Sequence, residues 1–472
     1  MIKKTKIVAT ISDLKCDVDF IKQLYDAGMN VVRLNTAHQS LEQSMRVIEN
    51  VRRVDAPIAI LVDTKGPEIR TSSKGEPVSI DIGTVIRLYG DPEGQSGGHT
   101  LYVTYRNIVK DVEVGKFLLI DDGELEFRVI GKEDDFLLCQ ATNKGVVKLR
   151  KSVNIPDTPI SLPSLSDKDR EYIEFAIKHN LDFIAHSFVR TKQDVLDIKE
   201  IIDKHGSPIK IIAKIENQQG VDNIDEILDH AYGIMVARGD LGIEIAAERI
   251  PVIQRKLIKK CTESKKPVII ATQMLHTMID HPRPTRAEVS DIANAIYQRT
   301  DSIMLSGETA YGDYPIDAVK TMTRVALEVE KNLDPDIGIN IVRVKNEVTA
   351  SLARSAVRAC SSLPIKAIVI DTLTSRTGRY LAAYRGRIPV YAMCYNHSVM
   401  RQLSLSYGIQ PIFMEPRKSR DAFLSDAISL LLSSGRVNED DLVLVVAGSF
   451  GPGNGASFME ISPVKRLLVR NY

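Results

Sequence analysis

The first two thirds of this 472-residue chain repeat one pattern, a short apolar run followed by a turn and an amphipathic stretch. Eight of the apolar runs have the length of strands, and residues with helical periodicity follow most of them. Strands that alternate with helices pair in parallel, and eight such units are sufficient to close a barrel. The pattern therefore predicts a (β/α)₈ barrel with strands at residues 6–11, 31–34, 58–63, 183–187, 209–215, 233–237, 267–272 and 302–305.

Two further units interrupt and follow this barrel pattern. About 100 residues separate the third predicted strand from the next helix, whereas a βα loop normally has about 2–6 residues. The inserted residues form short alternating runs between Gly and Asp turns, which predict a small antiparallel β-barrel or sandwich. Beyond residue 340 strands and helices alternate again, which predicts an open doubly wound α/β domain. We expect the main barrel at 1–70 and 157–340, the inserted β-barrel at 71–156 and the C-terminal domain at 341–472.

Composition excludes several classes of protein. Lys and Arg total 62 and Asp and Glu total 61, so the net charge of +1 gives no basic surplus for binding nucleic acid or an anionic membrane. The longest apolar runs are far shorter than the roughly 20 residues of a membrane helix. Five scattered cysteines without a Cys-x-x-Cys pair favour neither disulfides nor a zinc site. We therefore expect a cytoplasmic protein without nucleic-acid or membrane partners.

If the barrel forms, the C-terminal ends of its strands meet at one rim, where barrel enzymes carry their active sites. Polar or charged residues follow almost every predicted strand. Glu216 and Asp240 end adjacent strands, and two hard oxygen ligands suit Mg²⁺ or Mn²⁺. Lys214 precedes Glu216 by two residues, so both side chains lean to the same side of the strand. A rim salt bridge is the alternative interpretation for any single residue of this set.

The same rim indicates a class of reaction. A lysine beside metal-binding carboxylates stabilises negative charge on a moving phosphoryl group or on an enolate. Arg33, Arg70 and Lys151 are candidate phosphate ligands. The sequence therefore predicts Mg²⁺-dependent chemistry on a phosphorylated or carboxylated substrate.

Two loops in the last third of the chain are candidate anion sites. The segment GPGNG at 451–455 follows a predicted strand, but it lacks the Gly-x-Gly-x-x-Gly spacing of a dinucleotide site and is equally a surface loop. The segment 372–377 follows a predicted strand and opens a helix, and it carries hydroxyl groups. Hydroxyl and backbone N–H groups at a helix N-terminus bind anions, and a plain helix cap is the alternative.

The chain resembles the pyruvate kinase family over its whole length, including the barrel, the insertion and the C-terminal domain. The stretches that carry the resemblance are 28–35 (GMNVVRLN), 63–70 (DTKGPEIR), 212–217 (IAKIEN), 233–242 (GIMVARGDLG), 271–275 (ATQML), 283–288 (RPTRAE) and 303–310 (IMLSGETA). The resemblance implies transfer of a phosphoryl group from phosphoenolpyruvate to ADP, which gives pyruvate and ATP. It also implies that the inserted domain closes as a lid.

The resemblance assigns roles at the rim. Lys214 would steady the transferring phosphoryl group and the enolate, and Glu216 and Asp240 would hold the divalent cation. Backbone N–H groups of Gly239 and Asp240 would hold the substrate carboxylate beside Thr272, near which the enolate is protonated. Further implied ligands are Arg33 and Ser187 for the substrate, Arg70, Lys151 and His38 for the nucleotide, and Asn35, Asp63 and Thr64 for K⁺. The remaining implications are a homotetramer and a phosphorylated effector bound by Thr372, Thr374, Ser375, Arg376 and Thr377.

Some positions depart from the family pattern. Residues 35–39 read NTAHQ where the family usually has NFSHG, so Ala37 lacks the hydroxyl that serves as a K⁺ ligand in the family. Glu68 is nevertheless the residue type that accompanies K⁺ dependence, which predicts a weakened K⁺ site. Ser152 stands beside Lys151 where glycine is common, and residues 11–14 read ISDL in place of IGPA.

Two other functions remain as alternatives. The first is an aldolase or lyase that uses a Mg²⁺-bound enolate, against which the insertion after the third strand argues. The second is a non-catalytic relative that senses metabolites through its C-terminal domain. A requirement for ADP would separate the kinase from both.

Overall fold

A closed barrel of eight parallel strands forms the centre of the protein, as the sequence predicts. The computed structural model describes residues 2–334, 338–417, 419–448 and 455–468. Every predicted barrel strand is present, and the observed ends differ from the predicted ones by one residue at most. The barrel strands are β1 (Lys6–Thr10), β2 (Val31–Asn35), β3 (Ala59–Asp63), β4 (Phe183–His186), β5 (Lys210–Ile215), β6 (Gly233–Ala237), β7 (Val268–Ala271) and β8 (Ser302–Leu305).

Helices surround the barrel and pack their apolar faces on its outer side chains. Four of them begin with a capping box, in which the side chain of a Ser or Thr and that of the third helical residue satisfy free backbone N–H groups. Short 3₁₀ turns occur at Ala247–Arg249 and His276–Ile279. The α-helices are Val18–Ala27, Leu41–Arg53, Asp167–Lys178, Lys192–Lys204, Gln218–Asp222, Ile224–His230, Arg238–Glu244, Ile250–Glu263, Arg286–Tyr297, Gly307–Ala310 and Pro315–Lys331.

The insertion between β3 and β4 is the predicted small β-barrel. Its seven-stranded sheet runs in the order Ile69–Arg70, Ser152–Asn154, Phe117–Ile120, Leu125–Lys132, Phe136–Ala141, Val85–Tyr89 and Thr100–Tyr102. An antiparallel bridge between Thr71 and Val103 joins the first strand to the last, and Thr104 N donates to Arg70 O at 2.8 Å. The sheet therefore closes around its own apolar core. Shorter elements complete the unit, namely the strand pairs Val78–Ile80 with Gly145–Val147 and Lys74–Gly75 with Gln95–Ser96, and the helix Ile108–Asp111.

The C-terminal domain is a five-stranded sheet with apolar clusters on both faces. Its strands lie in the order Ile409–Phe413, Val390–Cys394, Ile365–Thr372, Leu442–Gly448 and Ala456–Pro463. The last strand is antiparallel and was not predicted, because its side chains are half-buried and give no clear apolar run. The segment 451–455, apart from Gly455, lies outside the described residues. The helices of this domain are Glu347–Ser362, Arg376–Ala383, His397–Leu403, Arg420–Ser433 and Val464–Leu468.

The C-terminal domain closes the N-terminal end of the barrel. Leu405 is fully buried in the apolar cluster of the barrel interior. Asp301, just before β8, binds the buried guanidinium of Arg385 at 2.6 Å and accepts from Tyr407 N at 3.1 Å. Lys6 Nζ, at the start of β1, donates to Ile409 O at 2.5 Å. The opposite end, where the strands terminate, is thereby left for the site.

Two further properties concern the helices and the cysteines of the described residues. No helix in the described part of the chain has the length and apolar character needed to span a membrane. All five cysteines are free thiols, as the sequence predicts.

Candidate active site

A cavity of about 510 Å³ lies at the C-terminal ends of β2 to β6, beneath the first residues of the insertion. The topology brings ten of the residues singled out in the sequence to its walls. Thr272 and Gly239 lie beside one another at the ends of β7 and β6, and Lys151 lines a neighbouring cavity of about 670 Å³. The ten residues are Arg33, Asn35, His38, Asp63, Thr64, Arg70, Ser187, Lys214, Glu216 and Asp240.

Lys214 is the buried cation at the centre of this cavity. Its ammonium group lies 2.9 Å from Glu216 Oε1 and 3.1 Å from Asp63 Oδ1, and it donates to Ser187 Oγ at 2.7 Å. Burial alone lowers the pKa of Lys214, but Asp63, Glu216 and Asp240 together raise it above its ordinary value. Lys214 therefore stays charged, and its charge is held in a fixed direction.

Asp63 links that lysine to a second buried cation. Arg33 Nε donates to Asp63 Oδ2 at 2.6 Å, and Arg33 Nη1 donates to Thr10 Oγ1 at 3.0 Å. Burial raises the pKa of Asp63, but Lys214 and Arg33 outweigh it and hold that pKa below its ordinary value. Two cationic side chains thus share one ionised carboxylate at the base of the cavity.

Glu216 is oriented by a backbone contact as well as by the lysine. Its Oε2 accepts a hydrogen bond of 2.7 Å from Phe188 N. Phe188 has φ of 54°, a left-handed conformation that is uncommon for a bulky residue and marks a constrained turn at the end of β4. Burial raises the pKa of Glu216 to about 7, although Lys214 acts in the opposite direction.

Two carboxylates in the cavity are candidate ligands for a divalent cation. No group of three or more His, Cys, Asp or Glu side chains able to hold a metal occurs among the residues that the structure describes. Mg²⁺, however, usually takes one or two carboxylates and completes its shell with water and substrate phosphates. The cavity is lined by five cationic and four acidic side chains, so its net charge does not select for a cation. Glu216 and Asp240 fit a divalent ion because they are two carboxylates that follow adjacent strands and reach the same wall.

A second set of oxygen atoms fits a monovalent cation only in part. Asn35 and Asp63 line the cavity, and the carbonyl of Thr64 accepts from Ser187 Oγ at 2.6 Å. The exposed Ala37 also lines the cavity but supplies no side-chain oxygen. The cavity thus offers oxygen atoms that suit K⁺, but it lacks the side-chain hydroxyl that the family pattern leads us to expect at position 37.

Thr272 and Gly239 are held together by hydrogen bonds at the end of β6 and β7. Thr272 Oγ1 accepts from Gly239 N at 2.8 Å and donates to Ala271 O at 2.7 Å. Thr272 has φ of 70°, so this β-branched residue is a genuine backbone outlier. Arg238 supports the turn, because its Nη2 donates to the carbonyl of Thr272 at 2.6 Å while its Nη1 pairs with Asp291 at 2.7 Å.

The residues at the entrance to the insertion are joined by ion pairs. Glu68 Oε1 lies 2.6 Å from Arg70 Nε and 2.5 Å from Lys65 Nζ. Lys151 Nζ lies 2.7 Å from Asp121 Oδ1, within the insertion. Glu68 is therefore compensated by its sequence neighbours, and the two candidate nucleotide ligands Arg70 and Lys151 are paired and half-exposed.

The loop 372–377 lies in the C-terminal domain, far from the rim. Ser375 precedes the helix Arg376–Ala383 with φ of 65° and forms no capping hydrogen bond through its side chain. Thr372, Ser375 and Thr377 are buried, whereas Thr374 and Arg376 are exposed. A side-chain cap, the plain alternative for this loop, is therefore not formed.

Sequence reasoning missed the residues that orient the site. Thr10, Phe188 and Arg238 each contact a predicted site residue, through a hydroxyl, a backbone N–H and a guanidinium respectively. Arg238 follows β6 directly, so its position at a strand end could have identified it as a site residue. Thr10 and Phe188 carry no sequence signal, since their contacts depend on neighbouring strands.

Comparisons with known proteins agree over almost the whole chain. The family model described as pyruvate kinase, barrel domain, matches residues 2–319, and the model described as pyruvate kinase, alpha/beta domain, matches residues 350–462. The chain is 46% identical to a pyruvate kinase of Borreliella burgdorferi over 468 residues, which is 98% of each protein. It is 42% identical to one of Staphylococcus aureus over 460 residues, covering 94% of this chain and 78% of that one. A crystal structure of a pyruvate kinase from Cryptosporidium parvum is 36% identical and has a TM-score of 0.93, covering 98% of this chain and 96% of that one.

Proposed function

The chain belongs to the pyruvate kinase family of phosphotransferases, and from this premise we propose that its rim transfers a phosphoryl group from phosphoenolpyruvate to ADP in a Mg²⁺-dependent reaction with Lys214 at its centre. The observation that carries the proposal is the buried ammonium group of Lys214, which lies within 3.1 Å of both Asp63 and Glu216. In the reaction the P–O bond of phosphoenolpyruvate breaks, and an oxygen of the terminal phosphate of ADP bonds to the phosphorus. The enolate that remains takes a proton at its methylene carbon and becomes pyruvate.

Lys214 would act where negative charge develops. Charge appears on the transferring phosphoryl oxygens and on the enolate oxygen, and a fixed cation in a buried site stabilises it strongly. Asp63 and Ser187 keep the ammonium group in one position, so little reorganisation is needed during the reaction. Arg33, fixed by the same carboxylate, would bind the phosphate of the substrate.

The turn between β6 and its helix would hold the substrate carboxylate. Gly239 and Asp240 lie in the first turn of the helix Arg238–Glu244, whose early N–H groups have no helical partner. Gly239 N donates to Thr272 Oγ1 here, so a carboxylate bound at this turn would take over that N–H and lie beside the hydroxyl. Proton delivery there would pass through Thr272 and water.

Glu216 and Asp240 would hold the divalent cation. When bound, that cation supplies positive charge to the phosphoryl oxygens. Arg70, Lys151 and the exposed His38 would bind the nucleotide from the side of the insertion, which would close over the site and exclude water. The ion pairs of Arg70 with Glu68 and of Lys151 with Asp121 would then open or turn toward the phosphates.

Glu216→Gln should weaken Mg²⁺ binding by roughly tenfold or more, because a neutral amide oxygen is a poorer ligand for a hard cation. Raising the Mg²⁺ concentration, or supplying Mn²⁺, should recover part of the activity. The measurement is a direct Mg²⁺ titration of the purified variant and parent.

Glu244→Gln provides the matched control, since Glu244 lines the adjacent cavity but is not assigned to the metal. Its Mg²⁺ affinity should equal that of the parent. An unchanged Mg²⁺ affinity in the Glu216 variant would remove Glu216 from the metal site.

K⁺ should activate the enzyme with a weakened half-saturation, and Ala37→Ser should tighten it. One missing oxygen contact at Ala37 is worth on the order of 1–2 kcal/mol, or roughly tenfold in ion affinity. The measurement is activity against K⁺ concentration at constant ionic strength for parent and variant.

Ala37→Cys is the control for side-chain size, because sulfur is a poor ligand for K⁺. It should behave as the parent does. If the parent is fully active without K⁺ and Ala37→Ser does not change this, the enzyme does not require the ion. Lys65 and Arg70 would then balance the charge of Glu68, as they do in this structure.

The remaining assignments rest on the family resemblance. We propose that the chain forms a homotetramer and that Thr372, Thr374, Ser375, Arg376 and Thr377 bind the phosphate of an effector. The domain limits at residues 70, 156 and 340 and the cytoplasmic location likewise stay predictions.

A requirement for ADP tests the proposed function. Pyruvate should form from phosphoenolpyruvate only when ADP and Mg²⁺ are both present. Its formation is measured by coupling it to the enzymatic reduction of pyruvate. An enolate lyase or aldolase would need no ADP, and a metabolite sensor without activity would form no pyruvate under any condition.

A further inference from the structure

A small cavity lies between the N-terminal end of the barrel and the C-terminal domain, away from the active site. Lys265 and Lys266 reach it from the turn before β7, and Arg379 reaches it from the helix Arg376–Ala383. Arg385 and Ser406 complete the wall on the side of the C-terminal domain. The cavity is therefore built by residues from both domains.

Positive charge in this cavity is not balanced. Asp301 is the carboxylate among the residues that line it, and both of its oxygens bind Arg385, at 2.8 and 2.6 Å. Across residues 2–334, 338–417, 419–448 and 455–468, no carboxylate lies within 4.0 Å of the charged groups of Lys265, Lys266 or Arg379. Three cations thus share a partly buried space without a counter-ion of their own.

The pKa values of the two lysines are lowered in this surrounding. Burial, followed by the charges of Arg379, Lys345 and Arg343, lowers the pKa of Lys266 to about 7 and that of Lys265 to about 8. Each ammonium group uses one donor on a backbone carbonyl, Lys266 on Ala231 and Lys265 on Arg343. The other protons of each group remain for a ligand, since an ammonium group has three donors.

Two buried guanidinium nitrogens of the wall have no acceptor. One is Nε of Arg379, whose guanidinium lies over the ring of Tyr232. The other is Nε of Arg385, a side chain that is 2% exposed and whose terminal nitrogens bind Asp301. Buried polar groups are almost always satisfied, so unpaired donors that line a cavity indicate something that binds there.

The size of the cavity limits what can bind. Only about 10 Å³ of it is open to the centre of a water-sized sphere. A cavity this small favours a compact inorganic anion over a bulky phosphate ester. A lone water would satisfy the donors but would leave the positive charge unbalanced.

We propose that this cavity is a binding site for a small inorganic anion such as chloride, held by Lys265, Lys266 and Arg379 together with the unpaired Nε donor of Arg385. The anion would compensate three cations that otherwise repel one another. Because its ligands come from both domains, it would stabilise the packing of the C-terminal domain against the barrel.

The thermal unfolding midpoint in different anions tests this proposal. At a constant ionic strength of about 0.15 M, replacing gluconate by chloride should raise Tm of the full-length protein by roughly 2 °C or more. Arg379→Gln should abolish that increase, because it removes one charge and the donor that links the helix to the site. Lys256→Gln, which removes an exposed charge from the helix Ile250–Glu263, should leave the increase intact.

A second measurement locates the anion in the unaltered protein and does not depend on any variant. Crystals soaked in bromide should give an anomalous scattering peak between Lys266 and Arg379. The proposal is overturned by a chloride effect that Arg379→Gln leaves unchanged or by the absence of bromide from the cavity.

Discussion

Lys214→Met should lower kcat by roughly 10²–10³ or more, because the ammonium group acts where negative charge develops in the transition state. Methionine keeps the apolar stem, so the buried walls of the cavity should be preserved. Mg²⁺ affinity should not fall, since the substitution removes a cation that lies 2.9 Å from Glu216. The measurements are steady-state kinetics with saturating ADP and a separate Mg²⁺ titration.

Lys214→Arg separates the effect of charge from that of position. Its guanidinium keeps a positive charge but cannot reproduce the contacts of an ammonium group with Asp63, Glu216 and Ser187, so an intermediate kcat is expected. Turnover of the methionine variant close to that of the parent would remove Lys214 from the mechanism.

Arg385→Met should destabilise the protein by about 3–5 kcal/mol, because it leaves the buried carboxylate of Asp301 without its partner. The side chains of Arg385 and Asp301 are 1% and 4% exposed, so solvent cannot replace the lost interaction. A lower midpoint of thermal unfolding, measured without chloride, checks this prediction. At low temperature kcat should change little, since this ion pair lies at the opposite end of the barrel from the rim.

The double variant Asp301→Asn with Arg385→Met is the control for that interpretation. Removing both charges should cost less than the sum of the two single substitutions, because no buried charge is then left alone. Additive losses would show that the two side chains do not act as a pair.

Much of this architecture was predictable because buried strands and amphipathic helices have different hydrophobic patterns in the sequence. Buried parallel strands appear as short apolar runs and the helices between them as amphipathic stretches, so the eight barrel strands were placed to within one residue. Once the strands were known, the rule that active sites lie at the C-terminal ends brought Arg33, Asp63 and Lys214 to one rim. The candidate site was therefore predictable from topology.

Contacts between side chains of different strands were not predictable in the same way. Asp63 was expected only as a K⁺ ligand, yet it also pairs with Lys214 and Arg33 from β5 and β2. The left-handed backbone at Phe188 and Thr272 is imposed by tertiary hydrogen bonds against the local preference of both residues. Such features depend on strand register and side-chain packing, and neither can be derived from the hydrophobic periodicity of a single sequence.

The closure of the barrel base was also invisible in the sequence. Leu405 enters the barrel interior from a turn that follows the helix His397–Leu403, and nothing in its local pattern separates it from an ordinary helix end. The antiparallel strand Ala456–Pro463 was missed because one half-exposed edge strand gives a weak alternation. Both are consequences of domain packing rather than of local propensity.

The most direct test of the central claim follows the phosphorus atom itself. In a ³¹P NMR experiment with equimolar phosphoenolpyruvate and ADP in the presence of Mg²⁺ and K⁺, the signal of phosphoenolpyruvate should decrease as the γ-phosphate signal of ATP increases by the same amount. No inorganic phosphate should accumulate, because the closed site transfers the group to ADP and excludes water. Release of inorganic phosphate, or loss of phosphoenolpyruvate without formation of ATP, would contradict the account.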